Sequence, residues 1–142
     1  MSLETFTLIC DMNFRVFNEE IFPDLLPLTG ILSNLVDGCD ISSLSVADKL
    51  SLYQKLSYFL SLADNAIYFM IINLDVIQDT FNNFLGLIPD NYITEFAHID
   101  LKAKEFIVLF ENLVTIFRDL ENGLCMHNLI SDLRSDFLNE PL

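Results

Sequence analysis

From Leu52 to Phe84 apolar residues return every three or four positions, and no glycine or proline interrupts them. That is the period of one helix face; a strand alternates at two, so this stretch cannot be laid into a sheet. The stripe is Leu52, Leu56, Phe59, Ala63, Ala66, Met70, Ile77, Phe81 and Phe84, with Asn73 a polar exception beside Leu74. As one helix from Val46 to Leu85 it would be about 60 Å long. A globule of this chain length is only about 30 Å across. The expectation is therefore a break near Ala63-Asp64-Asn65; the alternative is a helix that extends beyond its own domain.

The rest of the chain carries the same period between sparse breakers. The 142 residues hold four Gly and four Pro, and no internal repeat or linker divides them. They are read as a single helical domain, 1–142. A first helix is expected over about Leu3 to Phe22. Pro23-Asp24 should restart the chain, with Asp24 capping a short helix to Val36 and Pro27 in its first turn. Asp37-Gly38 reads as a stop, because glycine ends helices cheaply in the left-handed region. Ser42-Ser43-Leu44-Ser45 reads as a polar loop, and Ser45-Val46-Ala47-Asp48 as a capping box. Gly86 and Pro89-Asp90 close the long stretch, and a short helix follows around Tyr92 to His98. Asp100 looks like the cap of a second strong helix to Asn122, with a seam of Ala103, Phe106 or Ile107, Phe110, Leu113 or Val114, Phe117 and Leu120. Gly123 should end it, before a last helix from Leu124 to Leu138. The expected fold is all-α: a compact bundle of five to seven helices, two of them dominant and amphipathic, joined by short loops.

Composition then limits the function. Lys and Arg number 7 against 21 Asp and Glu, a net charge of −14, while 52% of residues are apolar. Such a chain buries a core rather than staying disordered. Its sign argues against direct binding to nucleic-acid phosphates and to anionic membranes. The segment Met1 to Phe17 carries Glu4 and Asp11 and no basic residue before Arg15, unlike a secretory signal. The uncharged stretch Asn65 to Leu74 falls short of the roughly 20 residues of a membrane span and reads as a core helix. Cys10, Cys39 and Cys125 form no Cys-x-x-Cys pair. Cys10 and Cys125 sit among apolar residues and read as small buried hydrophobes, so a cytosolic location, bacterial or in a host cell, is expected.

No catalytic constellation emerges. Glu95-Phe96-Ala97-His98 has the Glu-x-x-His spacing of di-iron bundles, but the required second copy is absent, since Gly123 and Leu124 precede His127. Cys125 and His127 are two apart and diverge on a helix. Neither a Gly-x-Ser-x-Gly elbow nor a glycine-rich phosphate loop occurs. No cofactor and no metal are expected. The unusual feature is acidity: Asp132, Asp136 and Glu140 fall at i, i+4 and i+8, and Asp75 and Asp79 repeat the spacing, rows of like charge that weaken a helix by about 0.2–0.5 kcal/mol per pair. Tyr53, Tyr58, Tyr68 and Tyr92 read as packing at the rim of the core, with interface anchoring as the alternative.

The expectation is a non-enzymatic acidic binding protein. Its carboxylates, led by Asp132, Asp136 and Glu140 with Asp75 and Asp79 next, would mask a basic protein, as an immunity protein or a phage or viral counter-defence inhibitor does. The partner class would be a nuclease or a nucleic-acid-handling complex. One alternative is a dimeric chaperone or oligomeric scaffold that binds through Phe-rich helix faces, because the chain has more apolar residues than a bundle this size must hide. The last is an enzyme with carboxylates of raised pKa, Glu95 beside His98.

Overall fold

The computed structural model describes residues 2–84 and 86–139, with side chains as far as Cys125. Helix α1 spans Leu3–Val16, a π-helical turn Phe17–Ile21, α2 Phe22–Val36, a 3-10 turn Ile41–Ser43, α3 Val46–Asn83 and α4 Asp90–Asn139. The first three of these elements follow one another without a gap, so the described residues form three long helices and no strand. The all-α class holds; the division into five to seven helices does not.

The break expected at Ala63-Asp64-Asn65 is absent, and α3 is one helix of 38 residues, about 57 Å long. Its buried side chains explain why. Leu56, Leu60, Ala63, Ile67, Met70, Ile77 and Phe81 are buried, and with half-buried Leu74 and Phe84 they step 4-3 throughout. A break at Ala63 would take this row out of register with its partner. Asp64 and Asn65 are exposed and cost the helix little.

Helix α4 answers with its own unbroken row. Tyr92, Phe96, Ile99, Ala103, Phe106, Phe110, Leu113, Phe117, Leu120 and Leu124 also step 4-3, all buried or half-buried. Two such rows packed together are the seam of a coiled-coil hairpin. The seam carries α4 through both of its expected ends. Asp100 caps nothing; it lies inside the helix and takes Lys104 at 2.7 Å. Gly123 sits between buried Leu120 and Leu124, and their burial outweighs the ~1 kcal/mol that glycine costs a helix. The segments expected as separate helices at 92–98 and 124–138 are both parts of α4.

The first rod, α1 through α2, lies against α3. Its inward positions Phe6, Cys10, Phe14, Phe17, Ile21, Leu25, Leu28, Leu32 and Leu35 begin as 4-4-3, a longer mean period than the hairpin's. The π turn falls inside this run. There the Phe22 amide donates to the carbonyl of Phe17, five residues back. Pro23 has no amide to donate, and its ring crowds the turn before it; the widened turn supplies that room. So Pro23-Asp24 does not restart the chain, Asp24 is not a cap, and Pro27 lies inside the helix.

The turns behave as their residues dictate. Gly38 and Gly86 take φ of 64° and 84°, the left-handed region that favours glycine. Ser45 caps α3, its Oγ accepting from the Asp48 amide at 3.2 Å, and Ser2 caps α1 by accepting from Thr5 at 3.1 Å. Where the start of α1, the end of α3 and the start of α4 meet, Phe6 packs on Phe84 with ring centroids 4.6 Å apart. Phe81 packs on Phe96 at 5.2 Å and Phe14 on Tyr92 at 5.7 Å. The first rod therefore runs antiparallel to α3 and parallel to α4.

Continuity of α3 has a direct consequence. Asp64→Pro should destabilise the protein by about 3 kcal/mol or more, as proline does inside a helix, whereas Asp64→Ala should change stability by less than about 0.5 kcal/mol. Urea unfolding of both variants checks this; equal midpoints would mean that α3 bends at Asp64.

Candidate functional site

The interior holds little chemistry. Among the described residues the one buried polar side chain is Thr80, and its hydroxyl donates to the Val76 carbonyl at 2.7 Å. No buried polar side-chain atom there lacks a partner, and no group of three or more His, Cys, Asp or Glu converges to hold a metal ion.

A wide concavity lies between the first rod and α4. It encloses about 630 Å³, within the range of ligand pockets. Phe22, Leu25, Leu26, Phe106 and Leu109 make its apolar walls, and Asn18, Thr29, Lys102 and Glu105 supply its polar edge. Three contacts tie the first rod to α4 on one side of this groove. The Tyr92 hydroxyl donates to Asp11 Oδ1 at 3.0 Å, Asn18 Nδ2 donates to Glu95 Oε1 at 2.9 Å, and Lys102 Nζ stands 5.2 Å from the Phe22 ring centroid. Beyond Phe22 the inward side of α2 packs on α3 instead, and α4 passes at a distance that leaves the groove open. Lys102 lies over an aromatic wall, a cation–π placement. Thr29 bonds its own helix at the Leu25 carbonyl, 2.8 Å away. The groove therefore offers apolar surface with polar groups only at its rim.

The expected site residues are not gathered here. Asp75 and Asp79 are exposed near the end of α3 and line no part of the groove. Asp132, Asp136, Glu140 and His127 lie outside the residues whose side chains are described. Glu95 is engaged by Asn18 and His98 is exposed, so they form no acid–base pair. The acidity is spread along all three helices. Its one ion pair among the described residues joins exposed Lys104 to half-buried Asp100.

Other surface expectations divide. Tyr53 stacks on Phe117 at 4.7 Å and Tyr92 packs among Phe6 and Phe14, as rim-of-core residues do. Tyr58 and Tyr68 are 63% and 67% exposed. Cys10 is buried, but Cys125 is exposed, because it follows the buried seam residue Leu124 by one position and turns outward. The groove itself was missed. Its signal was available: Phe22, Leu25 and Leu26 cover more of the helix than a single stripe against α3 requires. The apolar surplus expected from composition falls mainly on α3, which carries half of the exposed large hydrophobics of the described residues. By length and composition α3 can cross a membrane, its most apolar window having a mean hydropathy of 1.4 with 28% of it buried.

No protein-family model matches the chain, and no characterised protein or solved structure shows significant similarity to it.

The first-rod end of the molecule makes an alkaline prediction. Burial, and then the Asp11 carboxylate beside it, push the Cys10 thiol from 9.0 to about 11. Burial and the Asp11 carboxylate also raise the Tyr92 hydroxyl above its usual 10.0. Both groups ionise more readily in the unfolded chain, so stability is complete below pH 9 and falls as pH rises through 11. The urea midpoint should drop across that interval, and Cys10→Ala should flatten the drop. At pH 8 iodoacetamide should modify Cys125 quickly and Cys10 only on unfolding; equal rates would contradict the burial of Cys10.

Proposed function

We propose that the chain is a non-enzymatic binding protein that engages a basic protein partner. The groove between the first rod and α4 would take an apolar anchor from that partner, and the acidic surface would steer the encounter. The observation that carries this reading is the groove itself: an open apolar trough of about 630 Å³ on a molecule of net charge −14. An apolar trough supplies affinity through desolvation. An uncompensated negative field raises the on-rate for cations and repels other anions. A basic amphipathic helix satisfies both requirements. The class of partner that meets this description includes nucleases and nucleic-acid-handling complexes, whose Lys and Arg otherwise face phosphates. Masking that surface would make the protein an inhibitor, acting in the cytosol. An enzymatic reading has weaker support, because the groove's ionisable groups, Lys102 and Glu105, are both exposed.

The two contributions separate experimentally. Leu26 is 76% exposed, so Leu26→Asp leaves the core alone while placing a charge in the trough. Capture from the source cell at low salt should yield proteins of high pI, identified by mass, and Leu26→Asp should lower the capture at least tenfold through faster dissociation. Raising ionic strength should slow association of the wild type markedly. Capture of acidic proteins only, or capture indifferent to Leu26→Asp, would contradict the proposal.

A further inference from the structure

Helix α3 carries a second seam. Two residues after each step of the row that faces α4, another row runs down the helix: Tyr58, Leu62, Asn65, Phe69, Ile72 and Val76, again stepping 4-3. It points about 200° away from the first, and every member is exposed. A helix apolar on opposite faces is the mark of burial on both, yet in one copy of the chain this face stays exposed, bordered only at Asn65 and Phe69 by Val16, Glu20, Ile21 and Asp24 of the first rod.

We propose that this face pairs with the same face of a second copy, antiparallel, about a two-fold axis at the level of Ile67. In that register Tyr58 meets Val76 of the partner subunit, Leu62 meets Ile72 of the partner subunit, and Asn65 meets Phe69 of the partner subunit. The next layer outward at each end places Lys55 against Asp79 of the partner subunit. The row is therefore complementary to itself only when reversed. In a parallel pair Lys55 would oppose its own copy and Asp79 its own. Both side chains are exposed, and neither is in an ion pair among the described residues. Between Lys55 and Asp75 the only charge on α3 is Asp64, and the nearest carboxylates of the first rod are Glu20 and Asp24, beside Asn65 and Phe69.

The area is sufficient. Tyr58 and Phe69 in the row and Tyr68 at its edge are 63–67% exposed, and Leu62, Ile72 and Val76 are 41–43% exposed. Together they offer on the order of 600 Å² per copy, at most about 1,200 Å² for the pair, the lower end of stable interfaces. The first rod borders this face at Asn65 and Phe69, but no residue of α3 lines the groove, so this pairing does not depend on the groove's function.

Sedimentation equilibrium of the full chain tests the proposal. The wild type should be a dimer at micromolar concentration, and association should tighten as salt screens the −14 charge of each copy, the reverse of the groove's salt response. Ile72→Glu should weaken dimerisation at least 100-fold with helicity by circular dichroism unchanged. Lys55→Asp alone and Asp79→Lys alone should each weaken it about tenfold, and the double exchange Lys55→Asp with Asp79→Lys should restore it to within about threefold. That rescue is not available to a variant that merely misfolds. A wild type monomeric at 100 μM in high salt, a dimer indifferent to Ile72→Glu, or a double exchange no better than the single ones would overturn the proposal. So would a monomer that instead partitions into phosphatidylcholine vesicles. Leu26→Asp should leave dimerisation unchanged, so failure of the seam and failure of the groove read out separately.

Discussion

The structure depends on the apolar row that α3 and α4 share. Each residue in it removes hydrocarbon from water, a gain of about 1.5–3 kcal/mol for a large side chain. What matters more is that the row never pauses. Leu56 through Phe84 on α3 and Tyr92 through Leu124 on α4 keep the 4-3 step, so a helix that ended early would strand the rest of its partner's row in water. Local stop signals lose to that continuity. Asp100 and Gly123 sit inside α4 for this reason, and Asp64-Asn65 inside α3.

The first rod lies on this hairpin with a different period. It contains Pro23 and Pro27, residues that ordinarily end or kink a helix. The π turn at Phe17–Ile21 absorbs the misfit: it makes room ahead of Pro23 and keeps Phe17, Ile21 and Leu25 on one side. The same segment supplies Asn18, Phe22 and Leu26 to the groove. The irregular turn, the two prolines and the groove thus share one stretch of chain, in keeping with the frequent placement of π turns at functional sites.

The helical class, the Ser45 cap and the Gly38 stop could all be read from residue order, because each is set by local chemistry; the stripe of the long stretch was legible at Leu56, Ala63, Met70, Ile77 and Phe81, but it took half-buried Phe59 and Ala66 in place of buried Leu60 and Ile67. The seam of α4 was legible from Ala103 to Leu120 apart from two choices, Phe106 or Ile107 and Leu113 or Val114, which the fold settles as Phe106 and Leu113. Helix number was not. The break in α3 follows from the diameter of a globule and the other divisions from Pro23-Asp24, Asp100 and Gly123, local signals that packing overrides; the longest helix has 50 residues, about 75 Å. The π turn could not be anticipated, since nothing in Phe17-Asn18-Glu19-Glu20-Ile21 distinguishes it from an ordinary turn without knowledge of what it packs on. The acidic rows were conspicuous in the sequence, yet Asp75 and Asp79 lie apart from the groove. The two surfaces proposed here for binding are apolar, and exposure of an apolar residue is a property of the whole fold.

Helix α3 thereby becomes the centre of the molecule, packed on two sides and apolar on a third. That account requires it to be a single rigid helix through its middle. Residue-resolved hydrogen exchange of the α3 amides tests this most directly. Amides from Ala63 to Ile67 should exchange as slowly as those of Leu56 and Met70, opening only with global unfolding. Fast exchange confined to Ala63–Ala66 would show two helices joined by a hinge, and would contradict the continuous two-faced helix on which the rest is built.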